Sequence, residues 1–590
     1  MVESFGDYRE EAWLEDHVGG PLYEQQATLP RLPVPTIPQT MDRLVPTVAP
    51  LAETPQELAA FQAAVAKFPS QAQTLQERLL HRYDANPDSS WLQHWWNTAG
   101  YLQVRDSVVI NVSYYFGFSD TTQSQYDRAS SLLQASMDYR NLIVSGQRAP
   151  DPNLCSVAYK YMFHACRVPR PDHDSYRLYD PAVYSHAVVA RHGYWFVVST
   201  PTPDWQQLED MAVEMQQMGL PQLGWCTATD RDTWAQTRQH WIQHIPAMEQ
   251  ALETLESASV ALCLDDTTSI PSRNDLAHRY LHGGASGGNR WFDKSIQFIV
   301  TSEGQAGLLG EHSMMDGMPV TTLADYVTKH TSVPQGSPSA VQPVFSVELL
   351  QQVQKLSEDR IANAREAHLD WTGRHSIHTQ RFHGYGRNWI KQAGFSPDAY
   401  VQMAMQIATA RLFGKQVGTY EATQVRPFRH GRTETTRTVS PESHALIDKM
   451  NHGKATVDDL KAAVKVHSQY LKQAAQGMGV DRHLFGLSML VDKEATPDLY
   501  HDPVFQRAKR WRVSTSNLSH TKIENWGYGE VVPDGVGLSY SVHPRHLVFA
   551  VTALQETGWS PRLVDLLEGA LLDLRMLVEK EGGSLPSSKL

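Results

Sequence analysis

Strand-like and helix-like segments alternate along this chain of 590 residues, and that mixture limits its fold more than any single motif. Residues 185–200 have the apolar pattern of a strand hairpin, and Lys294–Thr301 with Ala306–Glu311 predict a second one. Helical patterns cover residues 205–218, 230–256, 345–367 and 397–413. The predicted fold class is therefore α/β, built from layers of strands and helices (α+β layers).

The length exceeds that of an ordinary domain, so two or three domains are expected. A Pro- and Ser-rich stretch at 332–343 and a polar stretch at 370–387 are the best candidates for a seam between domains. Hydrophobic residues make up 41% of the chain and charged residues 20%, values that are typical of globular proteins and exclude a mainly disordered one.

Charge and cysteine usage exclude several classes of function. Lys and Arg number 52 against 64 Asp and Glu, and the resulting net charge of −12 is a poor match for the phosphate backbone of a nucleic acid. The four cysteines contain no Cys-x-x-Cys pair, so neither a disulfide scaffold nor a structural zinc is expected. No apolar run approaches the ~18–20 residues that a transmembrane helix needs.

The two ends of the chain predict a location. The N-terminal residues Met1–Glu11 are acidic and resemble neither a signal peptide nor a transit peptide. The C-terminus is a polar tail that ends in Ser588-Lys589-Leu590, the peroxisomal address. A chance tripeptide is the alternative interpretation. The prediction is import into the peroxisomal matrix through the receptor that binds this tail.

Two motif searches predict no chemistry. The segment Gly284-Ala285-Ser286-Gly287-Gly288 fits the G-x-S-x-G pattern of a nucleophile elbow, but a strand follows it where a helix is required. The same segment lacks the Gly-Lys-Ser/Thr of a phosphate-binding loop. The 26 histidines show no clear ligand spacing, so no metal site is predicted.

One histidine has the setting of a general base. His312 directly follows the strand Ala306–Glu311, with Asp316 four residues later and Gly317 after it. An imidazole titrates near neutral pH and can take a proton from an alcohol or a thiol. Asp316 is expected to fix the local fold through an arginine rather than to touch the histidine. On this motif alone, a structural histidine remains the alternative.

Segments dispersed over nearly the whole chain, from about residue 20 to 575, resemble the choline/carnitine acyltransferase family and occur in the family order. One of them, Leu281–Val300, includes most of the first strand of the hairpin that precedes His312. The others are Leu29–Pro35, Trp91–Trp96, Thr419–Glu421, Arg432–Thr435, Asp481–His483, Ser514–Ser516 and Val532–Gly535.

The resemblance implies two similar domains like those of chloramphenicol acetyltransferase, with the active-site tunnel at their interface. The N-terminal domain would span residues 1–375 and carry the catalytic histidine, and the C-terminal domain would span 376–590. Acyl-CoA and L-carnitine are the implied substrates. A monomer is expected, with no cofactor beyond CoA as a substrate and no metal.

Carried over residue by residue, the resemblance assigns chemistry to two residues. His312 matches the catalytic base, which would deprotonate the carnitine hydroxyl in one direction and the CoA thiol in the other. Ser516 matches the serine whose hydroxyl stabilises the tetrahedral oxyanion. Asp316 is included with them among the predicted catalytic-site residues, as the residue that fixes the local fold.

Carnitine-binding residues follow from the same resemblance. Arg482 matches the arginine that binds the carnitine carboxylate. Its expected hydroxyl partners are Tyr420, Thr433 and Ser514. The trimethylammonium group needs apolar or aromatic walls, and the residues at matching positions are Trp96, Tyr101 and Tyr528.

CoA-binding residues are implied in the same way. Arg387 and Lys391 match two basic positions that reach the phosphates, and Asp398 lies near the adenine–pantetheine path. Asn517 stands where animal relatives carry glutamine, and Ser468 where they carry arginine. Both departures are expected to soften CoA contacts without removing chemistry.

The acceptor and the acyl chain are predicted from single positions. Choline-specific members lose the threonine that this chain keeps as Thr433, and Arg482 suits a carboxylate, so carnitine is the predicted acceptor. Trp526 stands where short-chain members have methionine and longer-chain members have glycine. Its indole should close the acyl pocket, which predicts reversible transfer of an acetyl group. A peroxisomal medium-chain carnitine acyltransferase and an inert CoA- or carnitine-binding protein are the alternatives.

Overall fold

The computed structural model describes residues 6–8, 20–85, 87–266, 272–492 and 495–582. The C-terminal tripeptide Ser588-Lys589-Leu590, on which the location was predicted, lies outside these residues. Within the described ranges, no helix combines the length and the apolar character that a membrane-spanning helix requires.

Strands and helices occur throughout the described ranges, and both kinds of element are numbered in chain order. The strands are β1 (Gly6–Tyr8), β2 (Ser113–Phe118), β3 (Ala165–Val168), β4 (Ser175–Leu178), β5 (Ala187–Arg191), β6 (Tyr194–Val198), β7 (Ala261–Asp265), β8 (Ile296–Thr301), β9 (Ala306–Glu311), β10 (Gln342–Pro343), β11 (His375–Phe382), β12 (Thr419–Gln424), β13 (Thr433–Arg437), β14 (Val513–Asn517), β15 (Ile523–Tyr528), β16 (Val536–Val542) and β17 (Leu547–Leu554). The helices are α1 (Ile37–Val48), α2 (Pro55–Ala85), α3 (Gln93–Asn97), α4 (Gln125–Val144), α5 (Trp205–Gln217), α6 (Arg231–His244), α7 (Met248–Ser257), α8 (Arg273–His282), α9 (Gly317–Lys329), α10 (Val347–Gly373), α11 (Arg387–Gln392), α12 (Pro397–Phe413), α13 (Pro441–Asn451), α14 (Val457–Ala475), α15 (Asp481–Ser488), α16 (Pro503–Lys509) and α17 (Trp559–Gly582).

The predicted mixture of strands and helices is confirmed, with one helix divided in two. The predicted helix 230–256 is α6 followed by α7. Ile245 between them has extended backbone angles (φ −125°, ψ 102°), because the ring of Pro246 disfavours a helical conformation at the preceding residue. The helix predicted near 345–367 extends to Gly373 as α10, with a kink at Ser357.

The chain forms two units that are not continuous in sequence. Unit 1 comprises Met1–Leu29, Trp96–His375 and His520–Gly529, and unit 2 comprises Pro30–Trp95, Ser376–Ser519 and Glu530–Leu590. A division at residue 375 is therefore shared with the predicted domains 1–375 and 376–590, but two segments differ. Residues 30–95 belong to unit 2, where α2 packs on α15 and α16. Residues 520–529 belong to unit 1, because β15 pairs with β2.

Unit 1 contains an eight-stranded sheet that positions the histidine hairpin. Its strand order is β10-β6-β5-β7-β8-β9-β2-β15, and a separate three-stranded sheet has the order β1-β4-β3. Strands β5, β7 and β8 are parallel, and β8, β9, β2 and β15 form antiparallel pairs. Both faces are buried along β7, β8 and β9, which accounts for the largely apolar sequences of these strands.

Unit 2 contains a six-stranded sheet of order β11-β17-β16-β14-β12-β13. Helix α12 is buried on almost every side and packs with α17, which accounts for its apolar composition all round. Its predicted bounds are confirmed: Pro397 occupies the first turn, and Gly414 ends the helix in the left-handed conformation (φ 73°). Strands β12, β14 and β16 are parallel neighbours, and they carry several predicted site residues.

Candidate active site

In unit 1, the candidate base lies at the end of β9. The His312 main-chain N–H donates to the carbonyl of Val112 at 3.2 Å, which continues the β9–β2 pairing by one residue. Its imidazole is 31% exposed, and its Nδ1 lies 3.8 Å from Asp316 Oδ1. The Tyr101 ring stacks on it at 5.4 Å and 18°, and the Tyr114 ring meets it edge-on at 5.2 Å. The imidazole is thus placed by a strand end and two aromatic rings.

Aromatic residues continue away from His312 along one face of the unit 1 sheet. Tyr528 lies directly opposite Tyr114, and Trp526 directly opposite Phe116, so the four side chains share a face. The Trp526 ring lies 6.4 Å from the Phe116 ring and 5.7 Å from the Tyr528 ring. Next to them, Gly310 leaves room for the Tyr114 ring, since a Cβ there would lie 2.6 Å from it.

Unit 1 therefore brings together the predicted residues that it contains. His312, Asp316 and Tyr101 form one contact group, and Trp96 joins it edge-on to Tyr101 at 6.0 Å. Trp526 and Tyr528 reach the same group through Tyr114.

In unit 2, Arg482 is held at the start of α15 beside the β12–β13 pair. It is 6% exposed. Its Nη2 donates to Thr433 Oγ1 at 3.2 Å and approaches the Tyr420 hydroxyl at 3.5 Å, while Nε donates to the Thr433 carbonyl at 2.8 Å. Ser514 lies directly opposite Tyr420 on the parallel strand β14. The structure thus clusters all four predicted carboxylate ligands, and a fixed buried guanidinium among hydroxyls is suited to a planar anion.

Ser516 follows two residues after Ser514 on β14, so both side chains lie on the same face of the strand. Thr515 between them faces the other way, and its hydroxyl donates to the Tyr420 carbonyl at 2.9 Å and accepts from Gln402 at 2.9 Å. Strand β14, which carries both serines, is therefore hydrogen-bonded to α12 through Thr515.

The predicted CoA residues lie on different elements of unit 2. Asn517 Nδ2 donates to Asp398 Oδ1 at 2.8 Å, which joins the end of β14 to the first turn of α12. Arg387 and Lys391 are both exposed on α11, four residues apart on one helix face. Ser468, one of the two departures, donates to the Val464 carbonyl of its own helix.

Glu421, His467 and Tyr540, which were not predicted as site residues, form a polar cluster with the predicted residue Asp398. His467 Nε2 is 3.0 Å from Glu421 Oε2, and the Tyr540 hydroxyl reaches Glu421 Oε1 at 3.1 Å and Asp398 Oδ1 at 2.7 Å. Burial, and then the Asp398 carboxylate, raises the pKa of Glu421 to about 7. Ligand atoms of Asp398, Glu421 and His467 lie within 4.8 Å of one another, so these side chains could hold a metal ion. The ion pair of His467 with Glu421 and the Tyr540 hydroxyl between Glu421 and Asp398 also account for their spacing.

A pH-dependent stability is expected from Glu434 beside Arg482. Burial raises the pKa of its carboxyl from 4.5 to about 7, against the opposing effect of Arg482. A raised folded-state pKa stabilises the fold fully below about 4.5, and this contribution is lost as the pH rises through about 7. Glu434→Gln should therefore change the free energy of unfolding little at pH 5 and raise it by about 1–3 kcal/mol at pH 8.

The measurement is denaturant unfolding of both proteins at the two pH values. The glutamine keeps the oxygen that accepts the Thr435 and Arg482 main-chain N–H groups. Glu366→Gln, an exposed change on α10, is the matched control and should be neutral at both values. Equal unfolding free energies of variant and wild type at pH 8 would contradict the raised pKa of Glu434.

A family model described as choline/carnitine O-acyltransferase matches residues 32–569. The chain belongs to this family. It is therefore a CoA-dependent O-acyltransferase, as the motif resemblance predicted.

Curated relatives of this family member differ in acceptor and in acyl chain. The chain is 30% identical to carnitine O-acetyltransferase of Columba livia, over 97% of this chain and 96% of that protein. It is 30% identical to mitochondrial carnitine O-palmitoyltransferase 2 of Rattus norvegicus, over 89% and 88%. It is 29% identical to choline O-acetyltransferase of Danio rerio, over 94% and 93%. These similar identities establish the family but do not distinguish between acceptors or between acyl chains, which depend on individual residues.

Proposed function

We propose that this acyltransferase catalyses reversible transfer of an acetyl group between CoA and L-carnitine. In the direction of acetylcarnitine, His312 takes the proton of the carnitine hydroxyl, and the oxygen attacks the thioester carbonyl. Ser516 donates a hydrogen bond to the resulting oxyanion. Collapse breaks the C–S bond, and the CoA thiolate takes the proton back from His312. The reverse reaction uses the same groups in the opposite order.

The observation that carries the choice of carnitine is the cluster around Arg482. Carnitine differs from choline by a carboxylate, and a carboxylate is the group that a buried guanidinium beside two hydroxyls binds best. Thr433 and Tyr420 already orient the Arg482 donors. Removing the carboxylate from the acceptor would leave this buried charge without its ligand, which is costly in a closed site. The acceptor is inferred from this chemistry.

The choice of a short acyl chain is supported by the aromatic face beside His312. Trp526 is buried and packs between Phe116 and Tyr528. A longer acyl chain placed along this face would have to displace these rings. Each methylene that stays exposed to water forgoes roughly 0.8 kcal/mol of binding free energy, before the cost of any steric clash.

The test is thiol release from acetyl-, butyryl-, octanoyl- and palmitoyl-CoA, with and without L-carnitine. The wild type should be fastest with acetyl-CoA and should require carnitine. Trp526→Gly should raise the rate with octanoyl-CoA by about 10-fold or more, since an indole-sized volume then becomes available for several methylenes.

Trp526→Phe is the matched variant for this test, because it keeps an aromatic ring at the position and should keep the acetyl preference. A wild-type maximum at octanoyl-CoA would replace the proposal with the medium-chain alternative. No change of the octanoyl rate in Trp526→Gly would show that this residue does not limit chain length.

Location and assembly belong to the same proposal. Ser588-Lys589-Leu590 supports import into the peroxisomal matrix, whereas the Rattus norvegicus relative is named as a mitochondrial protein. A monomer is the proposed state. Fluorescence microscopy of the full chain with and without the last three residues would test the address.

A further inference from the structure

Arg167 on β3 lies at the centre of a buried polar cluster in unit 1 that no step above uses. Its side chain is fully buried, and its Nε donates to Asp174 Oδ2 at 2.6 Å. Nη1 donates to Ser313 Oγ at 2.8 Å and to Glu311 Oε1 at 3.3 Å, and Nη2 donates to the Tyr101 carbonyl at 3.0 Å. One guanidinium therefore joins several separate segments of the unit.

Three of these contacts are made to residues that adjoin His312. Glu311 and Ser313 are the residues directly before and after it, and the Ser313 main-chain N–H also donates to Glu311 Oε2 at 3.1 Å. Tyr101, whose carbonyl Arg167 binds, stacks its ring on the imidazole. Arg167 thus contacts the chain on both sides of the candidate base and the residue that covers one face of its ring.

We propose that Arg167 is a positioning residue for His312, which holds the imidazole in its reactive orientation through Glu311, Ser313 and Tyr101. The inference rests on the proposed role of His312 as the base. Reactive geometry is sensitive to small movements, and a displacement of about 1 Å can cost about 10²-fold in rate. The planar guanidinium presents its donors in a fixed fork, whereas lysine supplies the charge without the fork.

Arg231 provides a matched control within the same cluster. Its side chain is fully buried, and its Nε donates to the same Asp174 Oδ2 at the same distance, 2.6 Å. Its Nη1 pairs with Asp293 at 2.8 Å rather than with a neighbour of the base. Arg167→Lys and Arg231→Lys therefore disturb one shared carboxylate, and they differ in their contacts around His312.

The experiment compares the two lysine variants by acetyl-CoA and L-carnitine kinetics. Arg167→Lys should lower kcat by about 10²-fold, because the base loses its alignment. The KM for acetyl-CoA should stay within about threefold, because Arg167 contacts none of the residues proposed to bind CoA. Arg231→Lys should lose a similar amount of thermal stability and keep kcat within about threefold. Equal losses of kcat in the two variants would overturn the proposal.

A second variant and a second readout keep the test decisive. Ser313→Ala removes one Arg167 acceptor without a charge change and should lower kcat by about 3–10-fold, the effect of one lost hydrogen bond. Diethyl pyrocarbonate labelling of His312, followed by mass spectrometry, needs no substrate. Labelling should be about threefold faster in Arg167→Lys than in Arg231→Lys, because the loop opens locally.

The labelling readout separates this inference from the proposed function. A wild type that transfers no acyl group to carnitine would contradict the proposed function, and the labelling rates would still decide whether Arg167 orders the histidine. Equal labelling of His312 in both lysine variants, together with an unchanged kcat in Ser313→Ala, would show that Arg167 serves only the stability of unit 1.

Discussion

Replacement of His312 by alanine should lower kcat for acetyl transfer by about 10²–10⁴-fold or more, the usual loss when a general base is removed. The imidazole is only partly covered, so the substitution leaves the buried core of unit 1 intact. Binding of acetyl-CoA should change little, because the residues proposed for CoA belong to unit 2. The measurement is kcat with saturating acetyl-CoA and L-carnitine, together with the Kd of acetyl-CoA by calorimetry.

His192→Asn is the matched control for this prediction. His192 also lies in unit 1 beside carboxylates, with Glu209 at 3.1 Å and Asp266 at 3.2 Å. Its backbone is left-handed (φ 52°), a conformation that asparagine tolerates. The control should keep kcat near that of the wild type. A His312→Ala protein that is folded and retains a tenth or more of wild-type kcat would exclude His312 as the base.

Substitution of Arg482 should have the second large effect, and this effect should depend on the acceptor. In Arg482→Gln, kcat/KM for L-carnitine should fall by about 10²–10³-fold, because truncating one partner of a buried charge pair costs about 2–5 kcal/mol. Choline has no carboxylate that Arg482 could bind, so kcat/KM for choline should stay the same or rise. Arg482→Lys should fall between wild type and Arg482→Gln, since it keeps the charge without the fork.

Arg437→Lys is the control for the loss of a buried arginine in unit 2. Arg437 binds Asp481 at 2.9 and 2.7 Å through two nitrogens. Its substitution should lower the stability of the protein and leave the carnitine-to-choline ratio of kcat/KM unchanged. Steady-state kinetics with L-carnitine and choline give the ratio that decides the matter. An unchanged carnitine-to-choline ratio in Arg482→Gln would mean that this arginine does not bind the acceptor carboxylate.

Helix α12, whose two ends are set by local signals, was predicted with accurate bounds. Helix α12 begins with Pro397 in its first turn and ends at Gly414, and both signals act within one turn of the helix. The division between α6 and α7 was missed, although Pro246 carries the signal for it. The membership of β15 in unit 1 was also missed, because its partner β2 lies about 400 residues earlier and no local pattern specifies such a pairing.

The residues of the candidate site also fall into those with a local or motif signal and those without one. His312 was singled out because a strand, a histidine and a carboxylate follow one another within a few residues, and the family resemblance then predicted its role as the base. The Arg482 cluster was found through motifs of a known family. Arg167 was missed because its contact with Ser313 joins residues 146 positions apart. A charged residue inside the short buried strand β3 was the only local sign of it.

The pairing of β15 with β2 has a consequence for biosynthesis. A ribosome must translate almost the whole chain before the last strand of the unit 1 sheet is available. Until then β2, with the sequence Ser-Tyr-Tyr-Phe-Gly-Phe, is an aromatic edge strand open to other chains. A fragment ended at residue 375 would keep that edge permanently, and we expect it to aggregate more readily than the full chain.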